Sequence, residues 1–273
     1  MPGDLVCRHH GWVHAAAVLQ LLDRADREAA LPRLGGMARA DGVVIVSESH
    51  WAFSGVDGSL REGVMPQPSR ALRHVPLVRG LLRLGASLSP LFRRTGVARP
   101  RERAFLALVV VAPIALVFAP HWLGLVTGLL TTLALVGWLL RGRTLFLHGA
   151  EHRAIAAAEE RRLGSAWRDE ARPTRFSTRC GTNFAALLIP VATFGQRFWP
   201  LETAAFTPLV VTILSLAVTM ELWQLVQASR RRGARLFLLP GLALQRVTTR
   251  EPSPGETRVA LRAVASVLRR ELD

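Results

Sequence analysis

Two histidines and a glutamate lie close together at residues 146–155, which read FLHGAEHRAI. His148 and His152 are four residues apart, and Glu151 directly precedes the second histidine. If the segment is helical, this spacing places both imidazole rings on one face, where they can share one metal ion. The order His-x-x-Glu-His is that of inverted zinc peptidases. The pattern predicts a divalent metal such as zinc at His148 and His152, with Glu151 as the catalytic general base.

A catalytic zinc site takes a third protein ligand and keeps its fourth position open. Cys180 is one candidate, because it lies in the turn STRCGTNF just before an apolar segment. Glu221 is the other candidate, and it lies inside a later apolar segment. An ionisable residue in such a segment is costly unless it faces protein or water, so an ion pair of Glu221 with Arg179 or Arg153 is the alternative to metal binding.

The histidine pair also has a purely structural interpretation. Hydrogen bonds among His148, Glu151 and the Thr182 hydroxyl would serve packing alone, and Gly149 lowers the helix propensity of the segment. Under both interpretations we expect the histidines and Cys180 to lie together. His148 follows the second apolar segment closely and Cys180 directly precedes the third, so both motifs should be held at one membrane depth.

Four apolar segments must position these side chains, at residues 104–120, 122–140, 184–196 and 208–226. Half of the chain is hydrophobic and the mean hydropathy is +0.25, although 35 residues are basic. Two segments approach the roughly 20 residues that cross a bilayer as a helix, and the third is short. The sequence predicts a mainly α, integral membrane fold with about four transmembrane helices, a small cytoplasmic N-terminal β region and cytoplasmic amphipathic helices.

Arginine placement predicts the orientation of these segments. Arginines concentrate at 93–103, 141–179 and 230–235, whereas only Arg197 follows the third segment. By the positive-inside rule, both termini and the loop at 141–180 should be cytoplasmic, in a multi-pass inner-membrane protein. No secretory signal is evident, which agrees with a cytoplasmic N-terminus. The net charge of +15 follows from this topology, so no direct nucleic-acid binding is predicted.

The chain divides into five predicted regions, with the chemistry in the fourth. Strands are expected around 43–46 with a turn at Asp57-Gly58, and the pattern at 76–94 predicts an amphipathic helix, either on anionic headgroups or packed on the sheet. The regions are an N-terminal helical extension (1–34), a β-rich cytoplasmic segment (35–75), an interfacial amphipathic helix (76–100), a transmembrane domain (101–235, with the loop 141–180) and a C-terminal connector and helix (236–273).

A second histidine-rich group, at Cys7, His9, His10 and His14, matches no closed zinc pattern and favours a solvated tail. With Cys180, Cys7 completes the two cysteines of the chain. Both are expected on the cytoplasmic side, where a structural disulfide is disfavoured.

Several stretches resemble the YqhQ-like family of bacterial multi-pass membrane proteins, whose members are often labelled predicted metal-dependent enzymes of undefined function. The similar stretches are PLVRG (76–80), HGAEHRAI (148–155), RCGTNF (179–184), MELW (220–223) and PGLALQRVTTREP (240–252). The resemblance implies a functional site at His148, His152 and Cys180. Two departures mark a divergent member: Asp41 stands where the family has glutamate, and Ser177-Thr178 stands where it has a His-Pro pair.

Two functions are therefore expected as alternatives. The first is a metal-dependent, hydrolytic enzyme with its site at the cytoplasmic membrane face. The second is a non-enzymatic membrane factor whose basic surface binds anionic lipid headgroups or a complex such as the protein-translocation machinery or a ribosome. The sequence contains no phosphate-binding glycine loop and no Gly-x-Ser-x-Gly elbow, so it offers no nucleotide or serine-hydrolase signature.

Overall fold

Alternating apolar residues build the N-terminal sheet, and long apolar runs build most of the helices that follow. The computed structural model describes residues 15–67, 69, 71–93, 96–115, 121–140, 142–200, 206–229 and 232–273. The helices are α1 (Ala15–Arg27), α2 (Val78–Phe92), α3 (Pro100–Ala115), α4 (His121–Leu140), α5 (Thr144–Glu159), α6 (Leu163–Trp167), α7 (Gly181–Arg197), α8 (Thr207–Ala228), α9 (Arg232–Leu236), α10 (Leu239–Thr248) and α11 (Pro254–Leu272). The strands are β1 (Gly35–Arg39), β2 (Gly42–Val46), β3 (His50–Gly55) and β4 (Leu60–Val64).

The sheet is an antiparallel meander in the order β1-β2-β3-β4. Successive side chains of a strand point to opposite faces, so Val43 and Ile45 join one apolar cluster while Val44 joins another. The predicted turn at Asp57-Gly58 is confirmed between β3 and β4. Gly58 has a φ of 82°, a conformation that glycine adopts without a steric penalty. The strand predicted around 43–46 is β2, and β1 was not predicted.

Helices α5 and α11 cover one face of this sheet. Leu261, Val264 and Leu268 of α11 are fully buried in the same cluster as Val43 and Ile45. Ser253 begins α11 with a capping box, in which its hydroxyl accepts from the Glu256 backbone N–H while the Glu256 carboxylate accepts from the Ser253 N–H. Helix α5 is buried along residues 149–158, where small alanines let it approach its neighbours closely.

The apolar helices form a second region beside the sheet and its covering helices α5 and α11. Gly195 of α7 lies against Val211 of α8, and the Phe184 ring contacts the Trp223 ring at 5.9 Å, so the two helices run antiparallel. The predicted amphipathic helix at 76–94 is α2, and it packs on α8 rather than on the sheet. Gly80 makes this contact, since a Cβ there would lie 2.8 Å from Cβ of Met220.

The expectation of about four transmembrane helices is wrong. Within the described ranges, one helix is long and apolar enough to cross a membrane, the stretch Leu209–Ala228 of α8, with a mean hydropathy of 1.9. The segment predicted at 184–196 forms α7, whose 17 residues are fewer than the roughly 20 that a span takes, and the segment predicted at 104–120 begins in α3, which is described as far as Ala115. Residues 116–120 and the Cys7-to-His14 group lie outside the described residues.

Candidate metal centre

Three potential metal ligands from two helices meet at one point of the structure. His148 and His152 lie on α5, and Cys180 is the residue that caps the N-terminus of α7. The ligand atoms of all three residues lie within 4.8 Å of one another. The predicted proximity of the histidine pair and Cys180 is therefore confirmed.

Gly149 is needed for this arrangement, despite its low helix propensity. The backbone of α5 runs against residue 250, and the Arg250 N–H donates to the Leu145 carbonyl at 2.9 Å. A Cβ at position 149 would collide with the carbonyl oxygen of Arg250. The glycine between the histidines thus lets the chain after α10 pass directly over the helix that carries the ligands.

The hydrogen bonds of both imidazole rings fix their tautomers. Nδ1 of His148 lies 2.9 Å from the Thr248 carbonyl oxygen, and Nδ1 of His152 lies 2.7 Å from the Arg175 carbonyl oxygen. A carbonyl can only accept, so each Nδ1 carries the proton. Burial lowers the pKa of both rings, that of His152 to about 4, with a further contribution from neighbouring His148. Both rings are therefore neutral at physiological pH, and each Nε2 is an unprotonated lone pair.

The Cys180 sulfur lies against these lone pairs. Its Sγ is 3.3 Å from Nε2 of His148 and accepts from the backbone N–H and the hydroxyl of Thr182. Burial, together with the nearby Glu151 carboxyl, raises the pKa of the thiol to about 11. Without a metal, the thiol stays protonated and donates to His148.

The donor set fits a thiophilic metal ion such as zinc. Nε2 of His152 is buried and has no hydrogen-bond partner in the described part of the chain, an arrangement that is costly for a polar atom unless a ligand satisfies it. Zinc bonds of about 2.0–2.3 Å would place tetrahedral ligand atoms roughly 3.3–3.8 Å apart. The separation of Nε2 of His148 from Cys180 Sγ already matches this spacing.

Glu151 lies beside the cluster and is almost completely buried. Its side chain crosses β1 over Gly36, where a Cβ would come within 2.8 Å of Glu151 Cγ, and its carboxyl accepts from the Ala38 N–H. Burial raises the pKa of this carboxyl to about 8, despite that hydrogen bond. A carboxyl of this kind exchanges a proton near neutral pH, which is what a general acid or base requires.

Glu221, the other predicted ligand, is not brought into this cluster. Its carboxylate accepts from Nε and a terminal N–H of Arg79 and from the Leu77 backbone N–H. Leu77 holds an unusual backbone φ of 66° in this contact. The structure thus gives Glu221 an ion pair, but with Arg79 rather than with Arg179 or Arg153.

The residues that orient the ligands were not singled out from the sequence. The Thr248 and Arg175 carbonyls fix the two tautomers, and Gln245 binds the backbone of Ser177 between Arg175 and Cys180. Every residue has a backbone carbonyl, so the residue types could not show which carbonyls accept from the histidines. A usable signal was the stretch PGLALQRVTTREP, which contains Gln245 and Thr248 and was noted only as part of a family resemblance.

Comparison with known proteins shows that the cluster lies in a region that matches a family of unknown function. A family model described as "Protein of unknown function (DUF1385)" matches residues 104–270, more than half of the chain. The chain is 30% identical over 138 residues to the "Uncharacterized protein YqhQ" of Bacillus subtilis (strain 168), a match that covers 47% of this chain and 42% of the relative. The chain therefore matches less than half the length of this relative. No solved structure matches it.

Proposed function

We propose that this chain, which belongs to the DUF1385 family and is a divergent YqhQ-like member, is a membrane-associated protein that holds one divalent metal ion for a hydrolytic reaction. His148, His152 and Cys180 are the ligands, and Glu151 is the catalytic acid–base group. The metal is of the thiophilic class, for which zinc is the reference ion, because thiolate and imidazole ligands favour it over Mg²⁺ or Ca²⁺.

The orphaned Nε2 of His152 is the observation that carries this proposal. A histidine retained only for packing would satisfy both ring nitrogens or expose one to water. His152 instead has its Nδ1–H bonded to a carbonyl and a buried Nε2 that has no partner within the described residues. This is the arrangement by which proteins prepare imidazole for metal coordination.

The side chains divide the chemistry between them. A bound metal with three protein ligands would keep one position for water or a substrate carbonyl and would act there as a Lewis acid. His148 is the less buried histidine, so a substrate would reach the centre from its side. Glu151 would accept a proton from the attacking water and return it to the leaving group, and its raised pKa suits both steps.

Membrane association is part of the same proposal and is supported by α8. Only 28% of the apolar window in α8 is buried, so most of this helix has no protein cover in the described chain. The Phe184–Trp223 contact places the Cys180 end of α7 near the C-terminal end of α8, and Arg230 to Arg232 follow there in the sequence. The metal centre would then lie at the cytoplasmic membrane surface.

Elemental analysis of the purified full-length protein tests the metal. We expect about one equivalent of metal in the wild type and none in His152→Ala. His74→Ala is the matched control, because His74 is exposed in a short turn far from α5 in sequence, and it should retain the metal. A wild type that stays metal-free after incubation with zinc, or a His152→Ala variant that keeps the ion, would overturn the proposal.

Glu151→Gln tests the hydrolytic step. The variant should keep its metal and lose turnover on whichever member of a panel of chromogenic esters, phosphoesters and peptide amides the wild type cleaves. If no member of the panel is cleaved by the metal-loaded wild type, or if Glu151→Gln retains full turnover, the hydrolytic role of Glu151 is rejected while the metal site stands on its own test.

The second candidate function is a non-enzymatic membrane factor. The largely exposed apolar side of α8 favours it, because such a surface suits lipid and membrane-protein partners alike. Its partners would be anionic lipid together with the translocation machinery or a ribosome. Co-sedimentation of the purified protein with ribosomes, and flotation with anionic vesicles, should then be unchanged in His152→Ala. Loss of both in that variant would tie partner binding to the metal centre instead.

A further inference from the structure

The segment 245–251 passes from the end of α10 across α5 and contacts both His148 and the residues around the other ligands. It belongs to the stretch PGLALQRVTTREP, which the proposed chemistry leaves without a role. None of its residues is among the three ligands. Its contacts nevertheless converge on the groups that orient those ligands.

Gln245 makes the first contact, with the loop that precedes Cys180. Its side-chain amide donates to the Ser177 carbonyl at 2.7 Å and accepts from the Ser177 N–H at 2.8 Å. Gln245 is fully buried, so these bonds are shielded from water. They fix the backbone between Arg175, whose carbonyl binds His152, and the ligand Cys180.

The backbone of the segment makes the second contact. The Thr248 carbonyl accepts from Nδ1 of His148 at 2.9 Å. One residue later, the Thr249 carbonyl accepts from the Arg175 guanidinium at 2.6 Å. The same short stretch therefore supplies the acceptor for His148. It also binds Arg175, whose carbonyl is the acceptor for His152.

Glu251 makes the third contact, through two arginines. Its carboxylate accepts from the Arg153 guanidinium at 2.5 Å and lies 3.6 Å from Nε of Arg175. Arg153 is buried beside His152 and also donates to the Pro173 carbonyl at 3.1 Å. Glu251 thus contacts Arg175 directly and, through Arg153, is linked to the Pro173 carbonyl two residues before it.

We propose that the segment 245–251 is the positioning frame of the metal centre. Gln245 and Glu251 act as positioning residues: they hold the Thr248 and Arg175 carbonyls at Nδ1 of the two histidines, so that each Nε2 stays unprotonated and directed at Cys180. This proposal rests on the proposed metal-binding function. Such outer hydrogen-bonding partners set ligand orientation, and their loss typically lowers metal affinity about 10–100-fold.

Glu251→Ala is the decisive variant, because the Glu251 side chain is 60% exposed and its removal leaves little cavity. We expect cobalt(II), a spectroscopic substitute for zinc, to bind about tenfold more weakly and with a changed visible absorption spectrum. Glu251→Gln keeps one oxygen, which can still accept from Arg153, and should recover part of the affinity. Glu160→Ala is the matched control, since Glu160 is an exposed acidic residue that ends α5 and contacts Arg162.

Nitrogen-15 NMR of the imidazoles in metal-free protein supplies a readout that needs no metal. The wild type should show both histidines with the proton on Nδ1, and Glu251→Ala should show a mixture of tautomers. A purely structural role would lower the melting temperature without moving the tautomers or the cobalt spectrum.

The outcomes separate the two proposals. Wild-type affinity, spectrum and tautomers in Glu251→Ala would overturn the positioning frame and leave the metal site intact. A wild type that binds no cobalt would overturn the proposed function. In that case the tautomers alone decide whether the segment orients the histidines: a shift in Glu251→Ala supports the frame, and unchanged tautomers reject it.

Discussion

The cluster on α5 and the contact between α2 and α8 each contain a glutamate, and the surroundings of the two glutamates differ. Among the described residues, Glu151 accepts from one backbone N–H and contacts no cation, and Nε2 of the adjacent His152 has no partner. Glu221 is held by the Arg79 guanidinium and by the Leu77 backbone N–H. Both glutamates lie in stretches that resemble one family, and both were predicted as site residues.

The difference lies in which electron pairs are already used. A carboxylate that accepts from a guanidinium and a backbone N–H has its charge neutralised and its geometry fixed, and it serves to join two helices. In the α5 cluster the ligand atoms of two histidines and one cysteine lie within 4.8 Å of one another, and Nε2 of His152 has no partner among the described residues. Readiness for a ligand is therefore indicated by lone pairs left unpaired inside the protein, more than by the presence of ionisable residues in apolar segments.

The largest expected effect is the difference in metal content between Cys180→Ala and Glu221→Ala, which remove the two residues that were predicted as the third ligand. Cys180→Ala should lose the metal, with a cost greater than the roughly 100-fold that accompanies loss of an outer partner. Glu221→Ala should keep wild-type metal content, because Glu221 is bound to Arg79 and lies outside the cluster. Elemental analysis after gel filtration measures both. Loss of metal in Glu221→Ala alone would reverse the comparison.

Metal affinity should rise with pH, because a single proton blocks the α5 cluster. Between the lowered pKa of His152, about 4, and the raised pKa of Cys180, about 11, both rings are neutral and the thiol is protonated. Binding then releases the thiol proton, so affinity should increase about tenfold per pH unit. The measurement is zinc competition titration from pH 6 to pH 8 in Glu151→Gln, which removes the other titrating group. A pH-independent affinity would contradict the protonated thiol.

The burial of Glu151 predicts an unusual pH dependence of folding in the metal-free protein. Burial raises the folded-state pKa of Glu151 to about 8, above the usual value of 4.5, so the folded state binds the extra proton between these two values. Stability is full below about pH 4.5 and falls as pH rises toward 8, by about 2 kcal/mol between pH 6 and pH 8. Glu151→Gln should remove this loss. Denaturant titrations of wild type and variant that stay parallel across the window would show that Glu151 ionises normally.

The smallest effect is expected at the contact between α2 and α8, because Arg79 is partly exposed and exposed ion pairs contribute little. Arg79→Ala and Glu221→Ala should each make the chain before α2 more sensitive to limited proteolysis. The double variant should be no more sensitive than either single one, since the same pair is lost in each. Strictly additive sensitivities would mean that the two residues act independently.

The proximity of His148 to Cys180 was predictable from the sequence, because each residue lies a few residues from an apolar segment. His148 and Cys180 each adjoin an apolar segment, and their meeting follows from those short tethers. The partner of Glu221 did not follow in the same way. Arg79 lies more than 140 residues away, and its approach depends on how α2 packs through Gly80 onto Met220, which residue types alone do not encode.

The number of spans was overestimated for a different reason. A hydropathy window measures composition, whereas a span also requires an uninterrupted helix of sufficient length. Helix α7, for example, ends at Arg197 after 17 residues, fewer than the roughly 20 that a span takes. The sheet was only partly predicted because β1 reads GGMAR, a run with two glycines and little β propensity that depends on its pairing with β2.

The packing of α11 on the sheet determines the order in which parts of the protein can fold during synthesis. Val43, Ile45 and Ala52 are covered by a helix that begins 190 residues after β4 ends (254 minus 64). At about 5–20 residues per second, a ribosome delivers that cover roughly 10–40 s after the strands emerge. Throughout this interval α5 and its histidines are made while the sheet still lacks its main apolar neighbour. Closure of so long a loop is slow, so the ligand cluster reaches its final surroundings among the last events of folding.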